Sequence, residues 1–310
     1  MGKSVIDETN LNFGGVYMGA GSMDSVKAYV EASDLVLRVG AINSDFNTGG
    51  FSMKLQPSNV IELHPNFVSI GYARYDVQLR GILAHLTASW DPSKLAPIVP
   101  LPDSNDRKRT IPKDLQFSFP SATITHEYIW AKLDEFLQPK DVLIAESGTS
   151  YVGALDTHLP SQAKFISQFL WGSIGYALPA AQGAALAVRE AGATVKVGEE
   201  EKKQRVILFQ GDGSFQLTAQ SLSDMVKNRL NLIVFIINND GYTVERWIHG
   251  WDAKYNNIGD WHYTALPEAM GACEGAATVH TVRTKTEFEA LWKNEDFASP
   301  KGLQVRCALL

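Results

Sequence analysis

Two short segments of this chain carry residue types that together suit a metal ion and a phosphate group. Gly211-Asp212-Gly213-Ser214 and Asn238-Asn239-Asp240-Gly241 begin 27 residues apart (211 to 238). Each follows an apolar run, Val206-Ile207-Leu208-Phe209 for the first and Leu232 to Ile237 for the second. Continuous β-branched runs read as strands buried on both faces, hence as neighbours in a parallel sheet. Asp212 and Asn239 then leave the sheet at its carboxyl edge, where open α/β sheets bind ligands. A carboxylate, a side-chain amide and a glycine turn offer hard oxygen ligands of the kind Mg²⁺ shares with phosphates.

Taken alone, Gly211-Asp212-Gly213 also reads as a tight turn. A dinucleotide loop needs G-x-G-x-x-G, and Gln216 stands where its third glycine belongs. Asp212 facing a pyrophosphate would need a cation between them. Ser214 falls at the start of a helix expected over Phe215 to Asn228, where its hydroxyl and free backbone N–H groups can hold phosphate oxygens. Gly19-Ala20-Gly21 is a second near miss, with Asp24 in the third glycine's place, and reads as a loop.

The elements that must position these residues alternate along the second half of the chain, giving an α/β, doubly wound, mostly parallel sheet. Helix His126 to Leu137 leads to strand Val142 to Ala145, and a small-residue helix, Ser173 to Glu190, leads to Val206 to Phe209. Beyond Leu232 to Ile237 come strand Thr278 to Val282, helix Thr286 to Asn294 and strand Leu303 to Cys307. Glu199 to Lys203 reads as a solvated loop. Residues 1–90 carry strands Leu35 to Val39 and Val60 to Leu63 and helices Met23 to Glu31 and Asp76 to Ser89. His64 reads as a satisfied strand-end histidine. Six of the thirteen prolines lie between Pro92 and Pro120, so 91–121 reads as a linker before a domain at 122–310.

The pairing of GDG with NN, separated by one helix and one strand, is similar to the thiamine diphosphate signature. Glu146-Ser147-Gly148-Thr149-Ser150, Gln168 to Gly175 and Asn239-Asp240-Gly241-Tyr242-Thr243-Val244-Glu245-Arg246-Trp247-Ile248-His249-Gly250 resemble the fungal pyruvate decarboxylase family, as do Gly14 to Tyr17, Val39-Gly40 and Ser44 to Gly49. The likeness runs end to end but covers the C-terminal half of a family member. The first part then corresponds to the back of a second α/β domain, the family's central domain.

The resemblance implies Mg²⁺ held by Asp212, Asn239 and the Gly241 carbonyl, with the diphosphate held by Ser214, Thr149 and N–H groups of the Gly211–Gly213 turn. It makes Ile174 the wedge that bends the coenzyme and the Gly172 carbonyl the acceptor for its amino group. Ser147 and Val244 would border the thiazolium ring, and Glu245 would be the catalytic carboxylate. A thiazolium is an electron sink for the carbanion left by losing CO₂ from a 2-keto acid. A glutamate in a dry, apolar site favours its protonated form, which suits proton delivery.

It further implies pyruvate as substrate, with indolepyruvate or phenylpyruvate as the alternative, and a homo-oligomer. The family's N-terminal pyrimidine-binding domain, with its activating glutamate and paired histidines, has no counterpart here, and Met1 matches an internal methionine. The chain is therefore expected to bind coenzyme weakly and turn over little alone, or to dock on an intact paralogous subunit without catalysis. Trp171, Ile174, Tyr242 and Val244 are expected to be open to solvent. A serine hydrolase would need a G-x-S-x-G elbow, which does not occur.

With 310 residues, 45% hydrophobic, two domains can form real cores. A net charge of −6 argues against nucleic acid, and no apolar run reaches membrane-spanning length. Two cysteines, Cys273 and Cys307, give no disulfide framework, and a cytoplasmic setting follows. Cys307-Ala308-Leu309-Leu310 has the form of a prenylation box, but Leu303 to Cys307 alternates like a strand and no polybasic segment precedes it.

Overall fold

The structure, a computed structural model, describes residues 2–94, 99–101, 123–198, 200–298 and 301–310. The chain divides into two compact units, one of residues 1–2 and 11–107 and one of 3–10 and 108–310. Most of the proline-rich stretch expected as a linker lies outside the described residues.

In the first unit, β1 (Val36–Val39) pairs parallel with β2 (Val60–His64), and β3 (Phe67–Ile70) and β4 (Ala73–Tyr75) follow antiparallel. Helix Asp24–Glu31 buries Val26, and the expected second helix begins only at Leu79 and runs to Ala88. His64 ends its strand stacked on Phe67 and 3.3 Å from Glu62 Oε2, as its reading expected.

The second unit holds β5 (Val142–Ala145), β6 (Lys164–Ile166), β7 (Thr194–Val197), β8 (Glu200–Lys203), β9 (Val206–Gly211), β10 (Leu232–Asn238), β11 (Ala277–Val282) and β12 (Leu303–Leu309). Six of them form one sheet in the order β11-β12-β10-β9-β5-β6, every pair parallel. Alternate residues of β9 serve two cores. Ile207 and Phe209 pack with Ile129, Leu133 and Phe136 of helix His126–Phe136, while Val206 and Leu208 pack with Ala181 and Ala185 of helix Ala177–Glu190. Burial on both faces is why these strands read as unbroken apolar runs. Side-chain caps fix the helix starts: Thr125 Oγ1 accepts the Tyr128 N–H, and Thr284 and Glu287 form a reciprocal capping box.

Three expectations change. Glu200–Lys203, read as loop, is a strand paired antiparallel with β7; Lys196 sits opposite Glu201, and Val195 is buried beneath the pair. Opposite charges across the ladder make this polar strand favourable. The single helix expected over Phe215 to Asn228 is two, Asp212–Thr218 and Ser221–Lys227, with turns at Ala219 and Gln220 that let Leu222, Met225 and Val226 meet the core. The helix expected from Ser173 starts at Ala177, because Gly172 and Gly175 hold left-handed φ values of 58° and 88°. Cys307, in the prenylation-like ending, is buried within β12.

Candidate functional site

The strand order reverses direction about β5: β6 lies on one side of it and β9, β10 and β12 on the other. Ligands bind outside the carboxyl ends of strands at such a switch point. Four chain segments meet there, following β5 (146–149), β6 (167–175), β9 (211–214) and β10 (238–245).

Asp212 begins its helix as β9 ends and is 1% exposed. Its Oδ1 accepts the Gly213 N–H at 2.8 Å and its Oδ2 the Gly241 N–H at 2.8 Å, which closes one loop on the other. Burial pushes the carboxyl above its usual range, against these N–H donors, and Asp240 adds repulsion in the same direction as burial. Gly241 has φ 109°, and a Cβ there would sit 2.5 Å from the Asn256 carbonyl oxygen. A Cβ on Gly213 would meet the Tyr242 ring at 2.7 Å. Both glycines are therefore required by close approach.

The side-chain oxygen of Asn239 lies 3.3 Å from Asp212 Oδ1, 3.1 Å from the Gly241 carbonyl oxygen and 3.3 Å from Thr243 Oγ1. Three of these four oxygens carry no hydrogen, so something electropositive belongs among them. Turning the amide end for end would place its NH₂ there; a small divalent cation does the same work. Ligands at about 2.1 Å around an octahedral ion stand about 3.0 Å apart when adjacent. The observed spacings match that. Among the described residues no group of three His, Cys, Asp or Glu could hold a metal. That is compatible with Mg²⁺, whose ligands here would be one carboxylate, one amide and one carbonyl.

The remaining expected residues surround this point. Ser214 is buried, its hydroxyl donating to the Gly211 carbonyl at 3.1 Å. Ser147 Oγ donates to the Gln168 carbonyl at 2.7 Å, joining the segments after β5 and β6. Thr149 opens helix Thr149–Ala154, and a Cβ on Gly148 would lie 3.7 Å from Val244 Cγ2, so the segments after β5 and β10 touch. Gly172 sits in the loop before helix Ala177–Glu190 beside the exposed Ile174. Thr218 Oγ1 donates to the Gly175 carbonyl at 2.8 Å and holds that loop against helix Asp212–Thr218.

Residues 1–88 match the family model "Thiamine pyrophosphate enzyme, central domain", and 147–296 match "Thiamine pyrophosphate enzyme, C-terminal TPP binding domain". The chain belongs to the thiamine pyrophosphate enzymes. Thiamine diphosphate is the cofactor of this family's C-terminal domain. The chain is 42% identical over 306 residues to a pyruvate decarboxylase of Aspergillus fumigatus, covering 98% of this chain and 51% of that protein. It is 40% identical over 299 residues to pyruvate decarboxylase isozyme 3 of Saccharomyces cerevisiae, covering 96% and 50%. It thus spans about half the length of the curated relatives it matches. A thiamine diphosphate-dependent 4-hydroxybenzoylformate decarboxylase of Rhodococcus jostii shares the fold, with TM-score 0.62 and 19% identity over 94% of this chain and 51% of that one.

For a thiamine pyrophosphate enzyme, Glu245 lies in an unexpected setting. The dry site expected for it is not formed: its side chain is 49% exposed and its Oε2 lies 3.4 Å from His249 Nε2 one turn on. It sits on the short helix Thr243–His249, whose Trp247 and Ile248 are also exposed, as is Trp171. Tyr242 and Val244, expected to be open, are half-buried, because Tyr242 covers Gly213 and Val244 covers Gly148. Sequence reasoning gave no role to Glu146, Gln168, Thr218 or Thr243. The signals for Glu146 were its place at the end of the apolar run Val142 to Ala145 and at the head of the Glu146–Ser150 motif.

Proposed function

We propose that this chain supplies the metal- and diphosphate-binding half of a 2-keto acid decarboxylase acting on pyruvate. The observation that carries the reading is the approach of Asp212 Oδ1, at 3.3 Å, and the Gly241 carbonyl oxygen, at 3.1 Å, to the Asn239 side-chain oxygen. Their chemistry fits Mg²⁺, which bridges to a diphosphate. Ser214, Thr149 and the N–H groups of the Gly211–Gly213 turn would hold the phosphate oxygens, at helix starts that favour anions. The Gly172 carbonyl would accept a hydrogen bond from the coenzyme's amino group, and Ile174 would support its bend from below. Ser147 and Val244 would flank the reactive ring.

Thiamine diphosphate, when bound, supplies the electron sink for loss of CO₂. Glu245 would hold and deliver a proton beside the substrate carbon. Its half-exposed carboxylate and the exposed Trp171, Trp247 and Ile248 support a site completed by a covering surface that excludes water. Pyruvate is favoured over aromatic 2-keto acids because relatives at about 40% identity bear the name pyruvate decarboxylase.

Equilibrium dialysis of thiamine diphosphate with and without Mg²⁺ tests the site. Retention should require Mg²⁺ and disappear in Asp212→Ala; retention indifferent to both would sink the reading. CO₂ release by the assembled enzyme from pyruvate, phenylpyruvate and indolepyruvate tests the substrate, and a preference for the aromatic acids would overturn it.

A further inference from the structure

Glu146 is the residue that closes β5, and the roles above leave it unused. It is 1% exposed, and its carboxylate faces backbone alone: Oε1 accepts the Ser147 N–H at 2.8 Å, and Oε2 accepts the N–H groups of Gly175 at 3.0 Å and Ala177 at 3.1 Å. Among the described residues it pairs with no Lys, Arg or His. Burial pushes its pKa up and the three N–H donors oppose that. A buried acid with no cation partner is expensive to keep. Its return is that one rigid group ties the segment that follows it, at Ser147, to a second segment 29 to 31 residues ahead, at Gly175 and Ala177.

Those segments are the ones that matter to the coenzyme. Ser147 to Thr149 lies at the diphosphate and ring end, and Gly172 to Ile174 at the amino-group end and the bend. A helix cap explains part of the arrangement, since Oε2 meets the first N–H of the fourteen-residue helix Ala177–Glu190, at Ala177, where a negative charge is favoured. A cap does not explain Oε1 on Ser147, nor the added stitch from Ser147 Oγ to the Gln168 carbonyl. The carboxylate spans both loops at once.

We propose that Glu146 is a positioning residue whose carboxylate sets the separation of the Ser147–Thr149 and Gly172–Ile174 loops, and with it the space in which the coenzyme bends. This rests on the thiamine diphosphate reading for its purpose, but not for its geometry. The chemistry makes a sharp distinction between Glu and Gln. Glutamine is nearly the same shape but has one acceptor oxygen; its NH₂ must face either Ser147 N–H or the Gly175 and Ala177 N–H pair, donor against donor. Glu146→Gln should therefore release one loop while leaving the sheet intact.

Amide hydrogen exchange on the full chain without coenzyme reads this directly. Glu146→Gln should accelerate exchange at least tenfold in 147–152 or in 168–177, with β9 and β10 within twofold of the parent. Unchanged exchange in both segments overturns the proposal, and so does acceleration spread evenly through β9 and β10. Should the Gln variant not fold, Glu146→Asp, which keeps the charge but is one methylene too short to span both loops, is read the same way. Calorimetry separates positioning from simple destabilisation. Mn²⁺ alone, held at Asp212, should bind within twofold of the parent, while thiamine diphosphate with Mg²⁺ binds at least tenfold more weakly. Equal losses of both overturn the positioning role. A parent chain that binds Mn²⁺ but no coenzyme counts against the thiamine diphosphate reading, and the exchange result then decides Glu146 by itself.

Discussion

The six-stranded sheet is parallel throughout, the four-stranded sheet has one parallel and two antiparallel pairings, and the two differ in how far their strands are covered. β9 and β10 are buried along their length, with Phe209 and Phe235 stacked at 4.5 Å between them and helices on both faces. In the first unit, β1 is exposed at every second residue and all of β4 is exposed; Val26, Leu63 and Val68 are its buried apolar residues among those described. What holds that unit's loops is largely polar, as where Thr48 Oγ1 donates to the Ser44 carbonyl and accepts the Phe51 N–H. The candidate site grows from the covered sheet. Loops with left-handed glycines and a buried carboxylate cost free energy locally, and they persist only where the surrounding structure over-determines them.

The largest test of this contrast lies at the amino ends of the strands. Arg205 is buried with Asp141, donating through Nε at 3.0 Å and through Nη2, and also donates to the carbonyls of Phe136 and Ala298. Arg205→Ala strands a buried carboxylate and should cost about 3–5 kcal/mol. Arg38 of β1 pairs with Glu62 on a half-open surface, and Arg38→Ala should cost about 1 kcal/mol or less. Urea denaturation of both variants checks this. Equal losses would mean that the two sheets are equally committed and would break the comparison.

How much could be read beforehand follows the same divide. β5, β9 and β10 were legible because two-sided burial writes itself as an apolar run, and β12 because Leu303 to Cys307 alternates. The short strands β3, β4, β6 and β7 were not, since a strand of three or four residues is defined by its partner and not by its own composition. β8 shows this most plainly, because only the facing Thr194 to Val197 makes a strand of Glu200–Lys203. Within the candidate site, the meeting of Asp212 with the turn at Asn239 and Gly241 was legible because each follows an apolar strand of one parallel sheet. Glu146 was not, because its partners are backbone N–H groups that any residue supplies. The half-exposure of Glu245 was not either, since dryness is a property of what packs around it.

A smaller effect is expected at the one polar residue facing inward from β9. Gln210 is fully buried, and neither its amide oxygen nor its nitrogen has a partner among the described residues. Removing an unsatisfied buried amide in favour of an apolar group of similar size is neutral to stabilising. Gln210→Leu should therefore raise stability by about 1 kcal/mol or leave it unchanged. Thermal unfolding measures it, and a loss exceeding that amount would show that the covered sheet depends on this amide.

The smallest effect concerns one edge of the same sheet, β6. Residues 3–10 run beside it, with Ser4 Oγ accepting the Phe165 N–H at 2.9 Å and Lys3 Nζ donating to the Thr157 carbonyl at 2.7 Å. Asp7 fastens the turn. The Thr9 hydroxyl, first among its donors, and the N–H groups of Thr9 and Gln162 with the Ser161 hydroxyl hold its carboxyl down at about 2, from an ordinary value of 3.8. Because the folded value is the lower one, this stabilisation is complete above pH 3.8 and is lost as pH falls towards 2. Asp7 is fully exposed to solvent, so the effect should be local. Amide exchange normalised to intrinsic rates should quicken in 3–10 and then in β6 across that window, while β9 holds. Asp7→Asn should flatten the response, and a pH profile in the variant identical to the parent's would place the fastening elsewhere along the strap, at Lys3 and Glu8.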